Sequence, residues 1–429
     1  KNYDLLKIIY LMEIFNKSEI EKEIKELPNG ILTILLDTAI SANINSIAIV
    51  GGIVRDLITK SKNKDYEIIF NDLDLIIEGE ATTYVKQLEK VLGKERVKVI
   101  RNNTNYKTIE IIIDEIKVDI ACAREETYPI PGENPIIEPS TIENDLFRRD
   151  FSINAMAMDL KKNKLIDLFY GLDAISSMSI DFLHELSVLE DPTRIIRASR
   201  YSAKLNFNLS NKALKQIQNT IDSWPWHWQI GDKPDLAPSA LSIRLKMELE
   251  LLFKSKEWKK ALKFLQEWGG LKIIDSKLQD DKSLIEKIII AKESNIEPLT
   301  AFIYESENPL SLSKRLQLSQ QQKEIIVGAY QLKKHLNSLR VSQLYKDWSP
   351  SKWTNFLEEI NVDKSSYILE ICSKNPLKEY LLLWLYNWKN IKSPINGDDL
   401  IAQGWESGPE LGMEIKRQRL KLIDQQNIL

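Results

Sequence analysis

The stretch that decides the fold is GGIVRD at residues 51–56, followed by DLDL at residues 72–75. An apolar run precedes the glycine pair, which predicts a strand that ends in a tight turn and leads into a helix. The aspartates of DLDL alternate with leucines, so on a strand Asp72 and Asp74 lie on the same face. Two carboxylates on one face repel each other unless a cation lies between them, and hard oxygen ligands of this kind suit Mg²⁺. These motifs predict metal-dependent nucleotidyl transfer, with Asp72 and Asp74 as metal ligands.

Composition limits the classes of protein to which the chain can belong. Its 429 residues are too many for one compact core and predict about two to four structural units. No apolar run is long enough to span a membrane, and the N-terminus lacks a signal-peptide pattern. Cys122 and Cys372 lie far apart without a CxxC motif, which favours a reducing, cytoplasmic setting without disulfides or zinc. The three scattered histidines argue against a histidine metal site or a serine triad.

The predicted secondary structure changes along the chain from mixed helices and strands to mainly helices. Residues 1–28 and 31–43 predict two helices, and residues 47–122 predict short strands interleaved with helices, including a hairpin at Asp114-Glu115. Proline-rich residues 128–141 predict an ordered loop. From residue 142 onwards strand signals almost vanish, and the charged residues of 242–264 are expected on a solvated helix face. We therefore expect an α/β head followed by an all-α remainder. No obligatory protein partner is evident, and the tryptophan-rich segment 224–228 is expected to pack at a junction.

The glycine turn and a third aspartate carry further chemistry. Gly51 and Gly52 let the backbone approach a phosphate closely, and Arg55 can donate two hydrogen bonds to phosphate oxygens. The alternative is a plain tight turn. Asp119, on the apolar strand KVDIA, is either a third catalytic carboxylate that acts as a base or a strand-end carboxylate without function. In a two-metal site one ion activates the attacking hydroxyl and the other binds the triphosphate.

Two arginine-containing motifs follow. RRDFSINAMA at residues 148–157 predicts phosphate-binding arginines ahead of a small-residue helix that carries Asn154, although an interdomain salt-bridge cluster fits the same residues. In EDPTRIIRASR at residues 190–200, Asp191 and Pro192 predict the first positions of a helix. Arginines at three-residue steps then form a stripe on one side of that helix, namely Arg194, Arg197 and Arg200.

The Asp191–Arg194 pair has the chemistry to select a base. Cytosine and adenine each present an exocyclic amine beside a ring-nitrogen acceptor. A carboxylate accepts from the amine, and a guanidinium donates to the ring nitrogen. Uracil and guanine present a carbonyl at that edge, which a carboxylate disfavours. The alternative is a capped surface helix with solvated arginines.

Taken together, six segments resemble the class II tRNA nucleotidyltransferases, the family of CCA-adding enzymes and bacterial poly(A) polymerases. The segments are GGIVRD, DLDLIIEGEA, VDIACAREETYPIPGENP, DLFRRDFSINAMAMDL, LIDLFYGLDAI and EDPTRIIRASRYSAKLNF. The resemblance implies a head with a DNA polymerase beta-like mixed sheet and an all-α neck, body and tail. We divide the chain accordingly into an N-terminal helix at 1–30, a catalytic head at 31–175, a neck at 176–235, a body at 236–350 and a tail at 351–429.

The resemblance also implies roles for individual residues. Gly52 and Arg55 would hold the triphosphate, together with Gly51, and Asp72 and Asp74 would bind Mg²⁺. Arg149, with Asn154 in the same motif, would contact the incoming nucleotide. Asp191 and Arg194 would template the base, and Arg197 and Arg200 would contact the nucleotide as well. The helical body and tail would bind the acceptor and TΨC arm of tRNA.

The function expected from this resemblance is template-independent addition of CCA to tRNA 3′ ends from CTP and ATP. The alternatives are a partial activity, which would be A-adding, CC-adding or poly(A) polymerase activity, and a tRNA-binding protein without catalysis. Residues 102–108 stand where the family has a flexible loop thought to help the switch from C to A addition, and their unusual sequence leaves these activities open.

Overall fold

The computed structural model describes residues 17–223 and 238–425, and these form two compact units. The described part of unit 1 comprises residues 17–223, 238–248 and 255–270, and that of unit 2 comprises residues 249–254 and 271–425. Segment 224–228 and residues 1–16 lie outside the described residues. Among the described helices, none is both long and apolar enough to cross a bilayer. The five-part division made from the sequence stays a prediction.

Unit 1 is built on a mixed sheet of seven strands in the order β3-β4-β5-β2-β1-β8-β9. Only β2 and β5 pair in parallel within it. The strands of this sheet are β1 (Ile47–Val50), β2 (Leu73–Ile77), β3 (Val97–Asn103), β4 (Thr108–Ile113), β5 (Ile116–Cys122), β8 (Met156–Asp159) and β9 (Lys164–Asp167). Two short sheets pair β6 (Arg124–Thr127) with β7 (Ile136–Pro139), and β10 (Ser179–Ile180) with β11 (Asn208–Leu209).

Helices pack on the sheet and make up most of the other residues that the structure describes. The first nine are α1 (Lys17–Glu23), α2 (Ile31–Ser41), α3 (Gly52–Lys62), α4 (Ala81–Leu92), α5 (Ile142–Phe147), α6 (Gly171–Ser176), α7 (Ser187–Glu190), α8 (Arg194–Leu205) and α9 (Asn211–Asp222). The next six are α10 (Ser239–Lys254), α11 (Trp258–Glu267), α12 (Ser276–Asp280), α13 (Leu284–Glu293), α14 (Pro298–Tyr304) and α15 (Pro309–Arg315). The last six are α16 (Gln320–Ser342), α17 (Pro350–Ile360), α18 (Lys364–Cys372), α19 (Lys378–Tyr386), α20 (Gly397–Ala402) and α21 (Pro409–Gln425).

Burial explains the pattern of the central strands. Every residue of β1 is buried, because this strand lies between β2 and β8 and both of its faces are covered. Strand β4 instead alternates between buried and half-buried residues, so one of its faces stays accessible. The hairpin predicted between β4 and β5 is confirmed: Asp114 and Glu115 have φ values of 47° and 74°, as a two-residue turn of type I′ requires.

The fold class predicted from the sequence is confirmed, since a mixed-sheet N-terminal part precedes a largely helical remainder. Three local predictions were wrong. The segment after Arg149 is a 3₁₀ turn at Ser152–Asn154 followed by β8, not a helix, because its four-residue apolar run pairs with β1 and is buried. Strands β8 to β11 also contradict the expected loss of strands beyond residue 142. The predicted loop 128–141 contains β7, which pairs with β6.

Unit 2 is all-helical among the residues described and has its own aromatic core. Large side chains of this core are fully buried, among them Trp353, Trp384 and Tyr367. Tyr304 and Glu370 are also buried there, and the tyrosine hydroxyl donates a hydrogen bond to the glutamate. Burial raises the pKa of Glu370.

Candidate active site

Three aspartates meet on one face of the sheet in unit 1. Strands β2 and β5 run parallel with Asp74 opposite Asp119, and Asp72 directly precedes β2. One carboxylate oxygen from each of the three lies within 4.8 Å of the other two, and all three side chains are half-buried. The spacing brings Asp72 and Asp74 together as predicted from the sequence, and pairing with β5 adds Asp119.

The aspartate cluster is electrostatically strained. Burial and the neighbouring Asp72 raise the pKa of Asp74 to about 6, although Arg149 acts in the opposite direction. Burial also raises the pKa of Asp119, whereas Lys117, with its Nζ 3.3 Å from that carboxylate, lowers it. A divalent cation with oxygen ligands would remove the repulsion among the three carboxylates, so the residues present fit such an ion.

Gly51 brings the backbone close to the cluster. It ends β1 with φ of 79°, a conformation that side chains other than hydrogen disfavour. A Cβ added at Gly51 would lie 2.6 Å from Oδ2 of Asp74. Glycine is therefore required at this position for two reasons, the backbone angle and the space taken by the aspartate. Gly52 follows as the first residue of α3.

One cavity of about 430 Å³ collects most of the residues predicted to bind nucleotide. Seven of them line it, namely Gly51, Gly52, Arg149, Asn154, Asp191, Arg194 and Arg197, and so does the predicted metal ligand Asp74. The carboxylate cluster, through Asp74, and the Asp191–Arg194 pair therefore line the same cavity. A second cavity of about 370 Å³ shares Asp74 and Arg149 with the first and is also lined by Asp119.

Two of the residues predicted to bind nucleotide do not line this cavity. Arg55 is 3% exposed, donates to Asp56 and to Oδ1 of Asn154 at 2.8 Å each, and stacks on Tyr201. Arg200 pairs with Glu248. Their guanidinium groups are thus held by protein carboxylates, and each supports residues that do line the cavity. Asp72 borders neither cavity, although its carboxylate belongs to the cluster.

Asp191 and Arg194 are held by local contacts. Helix α8 begins at Arg194, later than the predicted start at Asp191, and one carboxylate oxygen of Asp191 accepts from the amide and hydroxyl of Thr193 at 3.2 and 2.7 Å. The second oxygen of Asp191 accepts no hydrogen bond from the residues described. The Arg194 guanidinium donates to the carbonyls of Ser187 at 3.1 Å and Arg148 at 2.9 Å, so two of its five N–H donors are used.

Arg197 is fixed by two carboxylates. Its Nε lies 2.8 Å from Asp150 and its Nη1 lies 3.0 Å from Glu248. Although burial disfavours the charged carboxylate, Arg197 and Asn154 hold the pKa of Asp150 below its usual value. The interdomain salt bridges considered from the sequence are therefore present in part, as ion pairs within unit 1.

Sequence reasoning missed several residues that line the cavity. Arg244 and Glu248 come from α10, whose charges were expected on a solvated face, and this expectation was wrong for both. Arg244 Nε lies 3.5 Å from Asp191, and its Nη2 donates to the Gly132 carbonyl at 2.9 Å. Their four-residue spacing in a helix was a usable signal, but only the fold shows which surface that face meets. The other missed residues are Glu126, Tyr128, Asp150, Thr193, Tyr201 and Met247, whereas Arg148 was predicted with Arg149 as a phosphate-binding arginine.

Two arginines of the cavity have buried nitrogens without a partner. The Nε atoms of Arg149 and Arg244 are inaccessible to solvent and make no hydrogen bond. Arg149 uses Nη2 on Asp145 at 3.3 Å, and the oxygen of Asp191 is too far from Arg244 Nε for a good hydrogen bond. A buried donor without a partner is costly, so both groups have capacity for a bound anion or polar ligand.

Comparison with known proteins agrees with this geometry. Residues 47–181 match the model of the poly A polymerase head domain. Over these residues the chain is similar to that family. An A-adding tRNA nucleotidyltransferase of Aquifex aeolicus is 27% identical over 392 residues, which cover 88% of this chain and 44% of that protein. Another from Halalkalibacterium halodurans is 36% identical over 168 residues, 38% of this chain and 37% of that protein.

A solved structure extends the likeness of fold beyond the head. The apo form II of a CCA-adding enzyme superposes with a TM-score of 0.69 at 24% identity and covers 95% of both chains. This chain spans less than half the length of the two curated relatives named above. The match to the poly A polymerase head domain and the carboxylate cluster together support the use of a divalent metal.

Proposed function

We propose that this chain adds CCA to the 3′ end of tRNA without a nucleic-acid template, using CTP and ATP. The observation that carries the proposal is one cavity lined both by Asp74 of the carboxylate cluster and by Asp191 and Arg194. A nucleoside triphosphate has the two parts that such a cavity requires, a charged phosphate chain and a base edge. We place the enzyme in the cytoplasm, where tRNA and both nucleotides are available.

The phosphate end of the cavity suits a triphosphate. Gly51 and Gly52 leave room for phosphate oxygens beside the backbone at the start of α3, and the buried Nε of Arg149 supplies an unused donor. Asp72 and Asp74 would hold Mg²⁺, with Asp119 as a third ligand or as the base. When bound, the metal would favour loss of the hydroxyl proton and neutralise the triphosphate.

The reaction itself is an in-line displacement. The oxygen of the RNA 3′-hydroxyl forms a bond to the α-phosphorus, the bond from that phosphorus to the pyrophosphate oxygen breaks, and the hydroxyl proton is lost. The described residues position both partners. Arg149 borders both cavities, so it lies where the triphosphate and the attacking end would meet.

Base selection is assigned to Asp191 and Arg194. The free carboxylate oxygen of Asp191 would accept from the exocyclic amine of cytosine or adenine, and an unused N–H of Arg194 would donate to the ring nitrogen. Thr193 and the carbonyls of Ser187 and Arg148 hold the two groups in place. A rigid donor–acceptor pair discriminates because the wrong base leaves a buried polar group unpaired.

A second candidate is A addition alone. It is favoured by the two curated relatives reported above, both of which are named A-adding. The same residues would serve, because the Asp191–Arg194 pair suits adenine as well as cytosine. The two candidates differ only in whether an RNA that ends before CCA accepts C.

The test is incorporation of single labelled nucleotides into tRNAs that end at the discriminator base, after C, or after CC. CCA addition predicts C, then C, then A, with UTP and GTP rejected. A addition alone predicts incorporation only into the CC-ended tRNA with ATP. Asp72→Ala should lower incorporation by at least about 1000-fold while tRNA binding is retained, because a metal ligand is lost. Full turnover by this variant would contradict the metal assignment, and no incorporation by the unaltered protein would contradict the proposed function.

A further inference from the structure

The second cavity of unit 1 extends away from the nucleotide cavity across the accessible face of β5, β4 and β3. It starts at Asp74 and Asp119 and ends at Arg101 and Asn103 on the edge strand. In the sheet register Asp74 lies opposite Asp119, Asp119 opposite Glu110, and Glu110 opposite Arg101. The groove thus runs perpendicular to the strands, and Arg101 is two strand spacings, about 10 Å, from Asp119.

Charge varies along this groove in a way that suits one ribose-phosphate unit. The inner end is acidic, although Glu110 and Asp119 are both paired with Lys117, whose Nζ lies 3.4 and 3.3 Å from them. The outer end carries Arg101, an exposed cation with no ion pair in the part of the chain that the structure describes. Hydroxyl donors are favoured at the inner end, and a phosphate is favoured at the outer end.

We infer that this groove holds the terminal nucleotide of the acceptor RNA, with Arg101 contacting the phosphate on the 5′ side of that nucleotide. The inference rests on the proposed function and adds the position of the second substrate. In an in-line displacement the attacking hydroxyl and the leaving pyrophosphate lie on opposite sides of the transferred phosphorus. The two cavities meet at Asp74 and Arg149, so a triphosphate in the first leaves the second for the hydroxyl end.

The size of the groove limits what it can hold. A cavity of about 370 Å³ is at the small end of the range for small-molecule sites, so it suits one nucleotide rather than a duplex. Thr108 and Asn103 line its outer part and offer neutral hydrogen-bonding groups for a ribose or base. Arg101 is therefore assigned as a positioning residue for the acceptor, distinct from the residues assigned to the incoming nucleotide.

The test removes, in turn, the positive charge of Arg101 and the negative charge of the RNA phosphate that it is proposed to contact. Binding of a fluorescent RNA minihelix, of the kind that the unaltered protein extends, is measured by anisotropy in metal-free buffer for the unaltered protein and Arg101→Gln. Each protein is tested with the normal RNA and with an RNA whose last internucleotide phosphate is a methylphosphonate. We expect either change alone to weaken binding about tenfold and the two together to do no more, because both remove the same charge-assisted contact.

Lys98→Gln is the matched control. Lys98 is an exposed cation on β3, and its partner Ile112 lies on the same face of β4 as Glu110, but it does not line the groove. This variant should change RNA binding less than twofold, and in steady-state assays Arg101→Gln should raise KM for RNA and leave KM for the nucleotide unchanged. Additive effects of the two changes, an equal loss in Lys98→Gln, or a raised KM for the nucleotide would each overturn the inference. An unaltered protein that binds RNA but never incorporates nucleotide would instead contradict the proposed function.

Discussion

At the scale of single residues, the site depends on groups whose positions leave little freedom. Gly51 combines a left-handed backbone with a close approach to Asp74, and Asp74 lies between Gly51 and two other carboxylates. Neither property is visible in composition or in residue type alone. Both follow from the end of β1 lying beside the start of β2.

Comparison of Gly51→Ala with Gly30→Ala should separate the effect of backbone strain from that of the steric conflict with Asp74. We expect Gly51→Ala to lose about 1–3 kcal/mol of stability and at least about 100-fold in activity, because the new methyl group displaces Asp74. Gly30→Ala is the control, since Gly30 has φ of 77° and no atom within 4 Å of an added Cβ. It should lose a comparable part of the stability and keep its activity. Thermal unfolding and nucleotide incorporation measure the two effects, and equal activity of both variants would contradict the conclusion.

Asp74 should also make metal binding depend on pH. Burial and Asp72 raise the pKa of Asp74 to about 6, so below that pH a proton occupies the carboxylate that the metal requires. We expect the affinity for Mg²⁺ or Mn²⁺ to be nearly constant above pH 7 and to fall about tenfold by pH 5. Calorimetric titration at pH 7.5 and 5.0 measures this change. Asp74→Asn should bind more weakly at both values and with a smaller difference, and tighter binding at pH 5 would contradict the assignment.

At the scale of elements, helices α8 and α10 are joined by two ion pairs in which two arginines share one carboxylate. Glu248 on α10 accepts from Arg197 and Arg200, which lie one turn apart on α8. The three-residue arginine step was recognised in the sequence, but its partner lies about fifty residues later in the chain. Spacing therefore predicted the shared face of the arginines, whereas the tertiary structure decided that the face meets a carboxylate.

Loss of Glu248 should destabilise this pair of helices. Glu248→Gln leaves the partly buried Arg200 without its carboxylate and Arg197 with Asp150 alone, so we expect a loss of about 1–3 kcal/mol in the free energy of unfolding. The control is Glu267→Gln, which removes an exposed pair with Lys263 and should cost less than about 0.5 kcal/mol. Chemical denaturation measures both variants. A loss in Glu248→Gln no larger than in the control would show that the pairs are not stabilising.

Pairing between elements also explains why the prediction of a helix at residues 152–159 was wrong. A short apolar run with alanines fits a buried helix or a buried strand equally well, and only the free edge of β1 selects the strand. Strand β7 was missed for a related reason, since prolines and a glycine surround it and its only partner is the four-residue β6. Such pairings are decided by neighbours that local sequence does not contain.

At the scale of the whole molecule, the proposed chemistry lies within unit 1. Its mixed sheet carries the carboxylate cluster, and the residues proposed to select the base lie just before α8, at Asp191, and at its first position, Arg194. Unit 2 has its own core, in which Tyr304 and Glu370 form a buried polar contact. The predicted role of the helical remainder in binding the acceptor and TΨC arm of tRNA stays a prediction.

Sequence alone was enough for the fold class, the strands that carry the aspartates and the resemblance to the class II tRNA nucleotidyltransferases, because apolar periodicity and ordered motifs depend on neighbours along the chain. Sequence alone could not show that ion pairs with Asp56 and Glu248 would keep Arg55 and Arg200 from lining the cavity. Nor could it show that Arg244 and Glu248 would line the cavity. Those outcomes depend on which surfaces meet in three dimensions. These outcomes depend on desolvation, on strand register and on the competition of several carboxylates for one arginine. Such effects act between residues distant in the chain, so they can be read only from the folded structure.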